Sequence, residues 1–537
     1  MTLTDKMKAW EPAAVWSEAG EGMFTVPAEA FRGVAERLKA EGFDFLRSLT
    51  GMDWGEEGFG VVYHLEATST GENVVVRTLT PERERPVLPS VCDLWRAAEL
   101  NEREAFDYFG IRFLNHPDMR RLYLRDDWVG HPLRKDYDPA SNPLRMSNEV
   151  SKDSAPTFEV QPDGSFIRGR NVLFEEEEYV INVGPQHPAT HGVLRFRVSL
   201  EGEIIKKLDV HCGYIHRGIE KMCEELTYPQ TLALTDRLDY LGASQNRHAL
   251  CMCIEKGLGV EVPERVQYIR TIMDELQRID SHLLFFACLC MDMGALTAFF
   301  YGFRDREKVL DILEQTTGGR LIQTYNTIGG VQADIHPDFV RKVKEFIAYM
   351  RPVLREYHEI FTGNVIAQER LKGTGVLTRE DAISFGATGG TGRAAGWACD
   401  VRKRHPYAVY GKVDFEEVLF TEGDCLARYM VRMREIEQSM HIIEQLIDNI
   451  PEGEYQLKMK PVIRIPEGSY YAAVEGSRGE FGVFIESRGD KFPYRMKFRS
   501  TGLPLVSCLE TIARGTKIAD LIAIGGTLDY VVPDIDR

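Results

Sequence analysis

The sequence predicts an α+β fold: an N-terminal α+β, sandwich-like domain, then a mainly α-helical bundle with β-strands at both of its ends. Three observations carry this. A helical run and two β-rich runs sit close together before residue 80. Long amphipathic runs follow one another from about 228 to 447. Strand signals flank those runs on both sides.

Ala28 to Glu41 has helical spacing, with Phe31, Val34 and Leu38 on one face and Gly42 as a stop. Phe59 to Ala67 and Asn73 to Leu79 are rich in β-branched and aromatic residues, and Ser69 to Glu72 suits the turn between them. Pro139 to Gly169 is rich in Ser, Asn, Asp, Pro and Gly, which reads as a surface linker. The expected organisation is a first domain over 1–138, a linker over 139–171 and a second domain over 172–537.

The second domain opens with strand signals at Glu178 to Val183, Leu194 to Leu200 and Glu203 to Leu208. One helix is expected from Tyr228 to Lys256, closed by Gly257, and the next starts at Pro263. Further helices are expected over Arg304 to Thr317, Pro337 to Thr362 with a kink at Pro352, and from Asp424 to Ile447. YYAAVEG and FGVFIES, on either side of Ser477 to Glu480, return to strand.

The chain has 65 basic and 82 acidic residues among 537, a formal charge of -17. That excludes a nucleic-acid partner, which needs a basic footprint, and disfavours direct docking on an anionic membrane. The most apolar run, Leu283 to Phe303, is long enough to span a bilayer but carries Asp292 at its middle. A mid-bilayer carboxylate is costly, so a helical core is the better reading. The start, MTLTDKMKAWEP, has no apolar signal region, so residence in the cytoplasm is expected.

Ten cysteines include no C-x-x-C pair. Cys251/Cys253 and Cys288/Cys290 lie in helical runs, where residues two apart point away from each other and chelate poorly. Small buried hydrophobes are the reading for them, and no metal site is expected. GATGGTGR (Gly386 to Arg393) lacks the Lys-Ser/Thr of a P-loop and the spacing of a dinucleotide turn, so it reads as a flexible or closely packed loop.

NVGPQHPATHGVLR (Asn182 to Arg195) places His187 and His191 on a turn between strands, where an imidazole can exchange a proton near neutral pH. LTDRLDYLGASQNRHAL (Leu234 to Leu250) concentrates Asp236, Arg237, Asp239 and Tyr240 between apolar flanks, which suggests a buried polar network. Asp292, in an apolar helix, needs a partner or a raised pKa: an ion pair, a cap and a proton-handling role all satisfy that.

These motifs, with HRGIEK, MDMGALTAFF, NTIGGVQAD, EGDCLARY, EGSRGEFGV and the terminal DIDR, resemble in order the D subunit of respiratory complex I. EREAFDYFGIRF, HPDMRRL and GHPLRKDY resemble its C subunit. The whole chain is similar to the fused C/D subunits of NADH:quinone oxidoreductases. The D part is also similar to the large subunit of nickel-iron hydrogenases, but it lacks both metal-binding C-x-x-C pairs of that family.

The resemblance implies a peripheral-arm subunit on the cytoplasmic face of the bacterial inner membrane. Its neighbours would be the cluster-carrying B subunit, the ferredoxin-like I subunit and the membrane-embedded H subunit of that enzyme. It implies quinone as substrate, a [4Fe-4S] cluster on the partner and no cofactor on this chain. By motif, Tyr240 and His191 face the two quinone carbonyls with His187 beside them, Asp292 pairs with His191, and Arg217 lies near the cluster. Interface roles are expected for Glu102, Arg103, Asp107, His131 and Arg134. A pure assembly scaffold, and a related complex fed by another donor, stay open at this point.

Overall fold

The computed structural model describes residues 3–18, 20–141, 156–175, 177–186 and 192–537. The first part is built on a five-stranded sheet. Its strands run, edge to edge, Val15–Ser17, Met23–Pro27, Glu72–Thr80, Phe59–Ala67 and Phe45–Asp53. Only Met23–Pro27 and Glu72–Thr80 pair in parallel. The helices Ala28–Ala40 and Ala98–Phe109 cover one face, and Phe31 stacks on Tyr63 at 4.6 Å.

Every residue of Phe45–Asp53 and Phe59–Ala67 is buried. A sheet with one wet face alternates, so both faces here must be covered. The second cover comes from the far end of the chain. Met52, Trp54 and Val62 pack on Tyr471 and Phe484 of the antiparallel strands Gly468–Gly476 and Gly479–Ser487. The sandwich expected inside the first domain is thus formed between the two parts, by one sheet from each.

The seam is also charged. Arg47 joins Glu480 at 3.0 Å, and Arg120 joins Asp209 at 3.1 Å. Glu104 accepts from both Lys497 and Arg537, all three being buried. Arg495 reaches Glu220 at 2.7 Å and also donates to the Gly51 carbonyl. Arg495–Arg499 is a third strand of the C-terminal sheet that the sequence reading missed.

The expected linker is partly structured. Pro156–Val160 and Phe166–Val172 form an antiparallel hairpin, with QPDGS between the strands. Phe166 meets Phe106 edge-on at 5.4 Å and lies under the Arg112 guanidinium. That contact fastens the hairpin to the first part.

In the second part, Tyr179–Val183, Arg195–Glu201 and Ile204–His211 form an antiparallel sheet. The bundle is organised around Glu264–Asp292, a 29-residue helix about 43 Å long. It packs on Ala243–Leu258, Leu296–Thr317, Cys425–Leu446 and Ile518–Leu528. Residues 269–283 of this helix are buried on all sides, although they include seven polar or charged side chains besides Thr271 and Ser281. Pairing makes that possible: Arg270 with Glu255, Asp280 with Arg306, His282 with Glu435 and Glu275 with Arg402.

Two expected helices differ. The run from Tyr228 to Lys256 is broken into Tyr228–Thr235 and Ala243–Leu258 by a turn over 236–242. Arg247 fixes that turn by donating to Asp236 at 2.9 Å and to the Leu232 carbonyl. The apolar run Leu283 to Phe303 is split by Met293-Gly294-Ala295, so Asp292 is the last residue of its helix, not its middle. GATGGTGR is also more than a loop: Gly389–Ala394 is a buried helical turn that presents Arg393 to Glu435 and Glu475.

The seam predicts how the two parts behave when the chain between them is cut. A protease site placed between residues 142 and 155 should yield, once cleaved, two fragments that elute together in gel filtration at high salt. Fragments that separate would show that the shared sheet packing and the Glu104 cluster are too weak to hold them.

Candidate active site

Tyr240 sits on the turn over 236–242, with its ring 36% exposed. Below it lies a buried network. Arg478, from the hairpin turn of EGSRGE and 1% exposed, donates to Asp239 at 3.0 Å, to Ser281 at 3.0 Å and to Asp529 at 3.1 Å. Asp529 caps the helix Ile518–Leu528 in a left-handed conformation, and Arg432 approaches its other oxygen at 3.6 Å. One guanidinium therefore ties the 236–242 turn, the long helix and the C-terminal segment together.

The electrostatics follow from burial. Burial raises the Tyr240 phenol above its ordinary value; Arg478 opposes this, and Asp239, Cys288 and Asp529 add to it. The phenol holds its proton at neutral pH, beside a cation that stabilises the anion it would leave. Burial pushes Arg432 down to about 10, against the pull of Asp529 and Glu435.

Asp292 is half-buried. Cys288 lies one helical turn before it, and its thiol is pushed up to about 11 by burial, Asp529 and Asp292. Cys288 also bears on the Tyr240 phenol, so Tyr240 and Asp292 share a neighbour. His187 and His191 lie outside the described residues. At Gly192 a Cβ would stand 2.5 Å from Val532.

Arg217 is exposed and donates to the Arg237 carbonyl at 2.8 Å, on the turn that carries Tyr240. Burial and the neighbouring Arg237 lower its guanidinium. Two exposed arginines therefore flank the Tyr240 turn.

The motif residues of the first part go elsewhere. Glu102 accepts from Ser90 at 2.7 Å and from the Val91 N–H. Asp107 accepts from the N–H groups of Leu122, Tyr123 and Leu124 and pairs with Arg121. Arg103 donates to the Arg120 and Arg121 carbonyls, His131 bonds the Asp107 carbonyl, and Arg134 donates to Phe109 and Arg83. These bonds lie within the first part. Glu104, inside the same motif, makes one of the contacts with the second part.

Cys92, Glu102 and His116 bring three donor atoms within reach of one ion. His116 fits a metal poorly. Its Nδ1 accepts from the Asp118 N–H at 3.0 Å, so Nε2 must donate to the Glu99 carbonyl. No ring lone pair is left. Burial lowers this imidazole to about 4, which keeps it neutral.

The sequence reading missed Arg478, Asp529 and Arg432 as parts of the site. EGSRGE was visible as a motif, and an arginine in a tight strand turn is a usable signal. Asp529 lies in an apolar C-terminal run with nothing local to mark it.

Residues 24–143 match the family model of the respiratory-chain NADH dehydrogenase 30 Kd subunit, and 292–463 and 457–537 match that of the 49 Kd subunit. The chain is 79% identical over 513 residues to the NADH-quinone oxidoreductase C/D subunit of Phocaeicola vulgatus, covering 95% of this chain and 99% of that protein. It is 70% identical to the C/D subunit of Bacteroides thetaiotaomicron, over 96% of this chain and 100% of that one. The separate D subunit of Desulfotalea psychrophila is 45% identical over 68% of this chain and 99% of its own length. The fold and these matches define a component of an oxidoreductase complex. Within that class, the chain belongs to the fused C/D subunits of NADH-quinone oxidoreductase. Among the described residues, no helix is long and apolar enough to cross a membrane.

Glu102 yields a pH prediction. Burial raises its carboxyl to about 7, against the Val91 and Ser90 hydrogen bonds. The folded state therefore binds this proton more tightly than the unfolded chain. Its contribution to stability is full below about 4.3, the ordinary glutamate value, and is lost as pH rises through about 7. Glu102→Gln should flatten that part of the pH–stability curve in urea unfolding. An unchanged slope would remove Glu102 as its source.

Proposed function

We propose that this chain forms the quinone-reduction site of its complex, against a neighbouring B subunit that carries a [4Fe-4S] cluster. The observation that supports this most is Tyr240: a partly exposed phenol next to Asp239, which Arg478 fixes from below, with Cys288 nearby. A quinone head group needs two electrons and two protons. The electrons come from the partner's cluster, and Arg217 and Arg237 offer positive charge toward it.

Tyr240 donates its phenolic hydrogen bond, and then its proton, to one quinone oxygen. The phenolate so formed stays within reach of the Arg478 charge, which lowers the cost of the transfer. His191 serves the other oxygen, with His187 beside it. Asp292 holds the His191 imidazole in its charged form until that proton leaves, after which an uncompensated carboxylate remains at the corner. Such a charge change can bias a conformational equilibrium elsewhere in the complex. The chain itself holds no redox group in this reading. The ferredoxin-like I subunit and the membrane-embedded H subunit complete the surroundings, on the cytoplasmic face of the inner membrane.

Tyr240→Phe removes one hydroxyl and leaves the Arg478 network intact. A lost hydrogen bond to the reacting group is worth roughly 1–3 kcal/mol, so quinone reduction should fall about tenfold to hundredfold. Reduction of the clusters by NADH in the assembled complex should be unchanged. Full quinone reductase activity with an undisturbed KM would refute the site. Failure of cluster reduction would favour the scaffold reading instead.

A further inference from the structure

A second buried charge network adjoins the one that holds Arg478. Four carboxylates meet three guanidiniums there: Glu275, Asp400, Glu435 and Glu475 against Arg278, Arg393 and Arg402, none more than 2% exposed. Arg393 donates to Glu475 at 2.7 Å and also pairs with Glu435. Arg402 reaches Asp400 at 2.6 Å and Glu275 at 3.0 Å, and Arg278 reaches Glu275 at 3.3 Å. Three cations thus answer four anions.

A net negative charge at such depth is costly, and like charges that share a site do not all ionise. One bound proton restores neutrality. The titration directions agree on its place. Against burial, the neighbouring arginines lower the Glu275, Asp400 and Glu435 carboxyls. Burial, opposed by Arg393 and reinforced by Asp400, raises Glu475 to about 7. Burial also lowers the His282 imidazole, so it meets Glu435 in its neutral form, at 3.0 Å.

Each element packed on Glu475 enters this balance. The long helix brings Glu275 and Arg278, while its Asp274 is taken by His248. The segment over 400–404 brings Asp400 and Arg402, and its Val401 N–H donates to Glu475 at 3.0 Å. The helix Cys425–Leu446 brings Glu435; its Arg432 is answered by Asp529. The Tyr407 hydroxyl accepts from the Glu475 N–H, and Tyr410 and Ser439 donate to Glu275. Glu417 accepts from the Asp400 N–H and adds a carboxyl, not a cation. Val401 and Tyr407 also stand in the wall of a cavity of about 740 Å³ between the two parts of the chain. A polar, open space of that size fills with water, and a titration equilibrium needs only slow exchange with it.

We propose that Glu475 carries the balancing proton at neutral pH, and that its loss as pH rises slows proton donation from Tyr240. The proposal rests on the quinone-site reading above. Glu475 and Arg478 belong to one hairpin turn, in which Gly476 pairs with Gly479. Three residues of chain separate their Cα atoms by no more than about 11 Å. When the Glu475 carboxyl releases its proton to cavity water, one negative charge is added near the cation that lowers the cost of the Tyr240 phenolate. A unit charge about 11 Å away, at an effective dielectric constant of about 20, changes an equilibrium roughly tenfold. Protonated Glu475 therefore favours quinone reduction, and the ionised form opposes it.

Two variants separate charge balance from packing. Glu475→Gln removes the group. Asp400→Asn keeps a good helix cap and leaves three carboxylates for three arginines, so Glu475 should ionise although it is still present. In the purified full chain at about pH 6.5, the infrared carbonyl band of protonated carboxyls should lose intensity in both variants. In the assembled complex, quinone reduction by the parent should fall up to about tenfold between about pH 6 and about pH 8.5. Both variants should flatten that fall and leave cluster reduction by NADH unchanged; a packing defect alone would lower activity without changing its slope against pH. An infrared band that persists in Asp400→Asn overturns the charge balance, and one that persists in Glu475→Gln overturns the place of the proton. A band lost in both variants with an unaltered pH profile overturns the effect on Tyr240. If Tyr240→Phe is itself fully active, the quinone-site reading falls and takes that effect with it, whatever the infrared result.

Discussion

The buried guanidinium groups impose the constraint on which this architecture depends. Arg270, Arg278, Arg393, Arg428, Arg432, Arg478, Arg495 and Arg537 all sit among the largest fully buried side chains. A buried cation that loses its partner costs about 3–5 kcal/mol, so each arginine dictates where acceptors must come. Arg278 takes the Glu475 and Gly476 carbonyls, at 2.7 and 3.0 Å, and so draws the C-terminal hairpin onto the long helix. Arg428 takes the Gly375 and Gly423 carbonyls and ties down the loops around its helix. These bonds are directional and long-range, which hydrophobic packing alone is not. They select one arrangement among the many that a helical bundle with similar apolar faces could adopt.

The same constraint fixes the backbone beneath Tyr240. A side chain at a functional site is held in place by neighbours whose own rotamers are locked. Tyr240 is partly open to solvent, but Asp239, Arg478, Ser281 and Asp529 beneath it are bonded on several sides. The turn is also locked from its start, through Arg247 and Asp236. Exposure of the Tyr240 ring and the bonding of its support are thereby separated. The Tyr240 ring is partly open to solvent while its backbone is set by the core.

How much was legible in the sequence follows from the range of the interactions involved. Ala28–Ala40, the strands around Ser69 to Glu72 and the helix Cys425–Leu446 obey local periodicity, and Asp424 caps the last by accepting from the Ala427 N–H. The break at 236–242 was not legible, because its cause is Arg478, more than two hundred residues away in sequence, together with Arg247. The apolar run around Asp292 misled for a related reason: a Met-Gly-Ala turn carries no polar signal, so two helices read as one. The 139–171 segment has a linker's composition, yet Phe158 and Phe166 are enough to fold part of it against Phe106. The roles of Tyr240, Asp292, His187, His191 and Arg217 came from resemblance, not from spacing. Physical reasoning on the sequence reached only as far as a buried polar network and an out-of-place carboxylate.

The fusion of the two parts has a consequence for charge. With a formal charge of -17 the chain as a whole repels anions, yet its buried seam is rich in cations: Arg47, Lys497, Arg495 and Arg537. Their acceptors come from both parts, Glu66 and Glu104 from the first and Glu220 and Glu480 from the second. Neither part could expose its share of this seam without leaving apolar sheet and unpaired charge in contact with water. A covalent connection raises the effective concentration of one half for the other, but it does not create the fit; the separate D subunit of Desulfotalea psychrophila covers 68% of this chain without the first part attached. The complementarity of the seam, rather than the connecting segment, is what makes the two parts one structural unit.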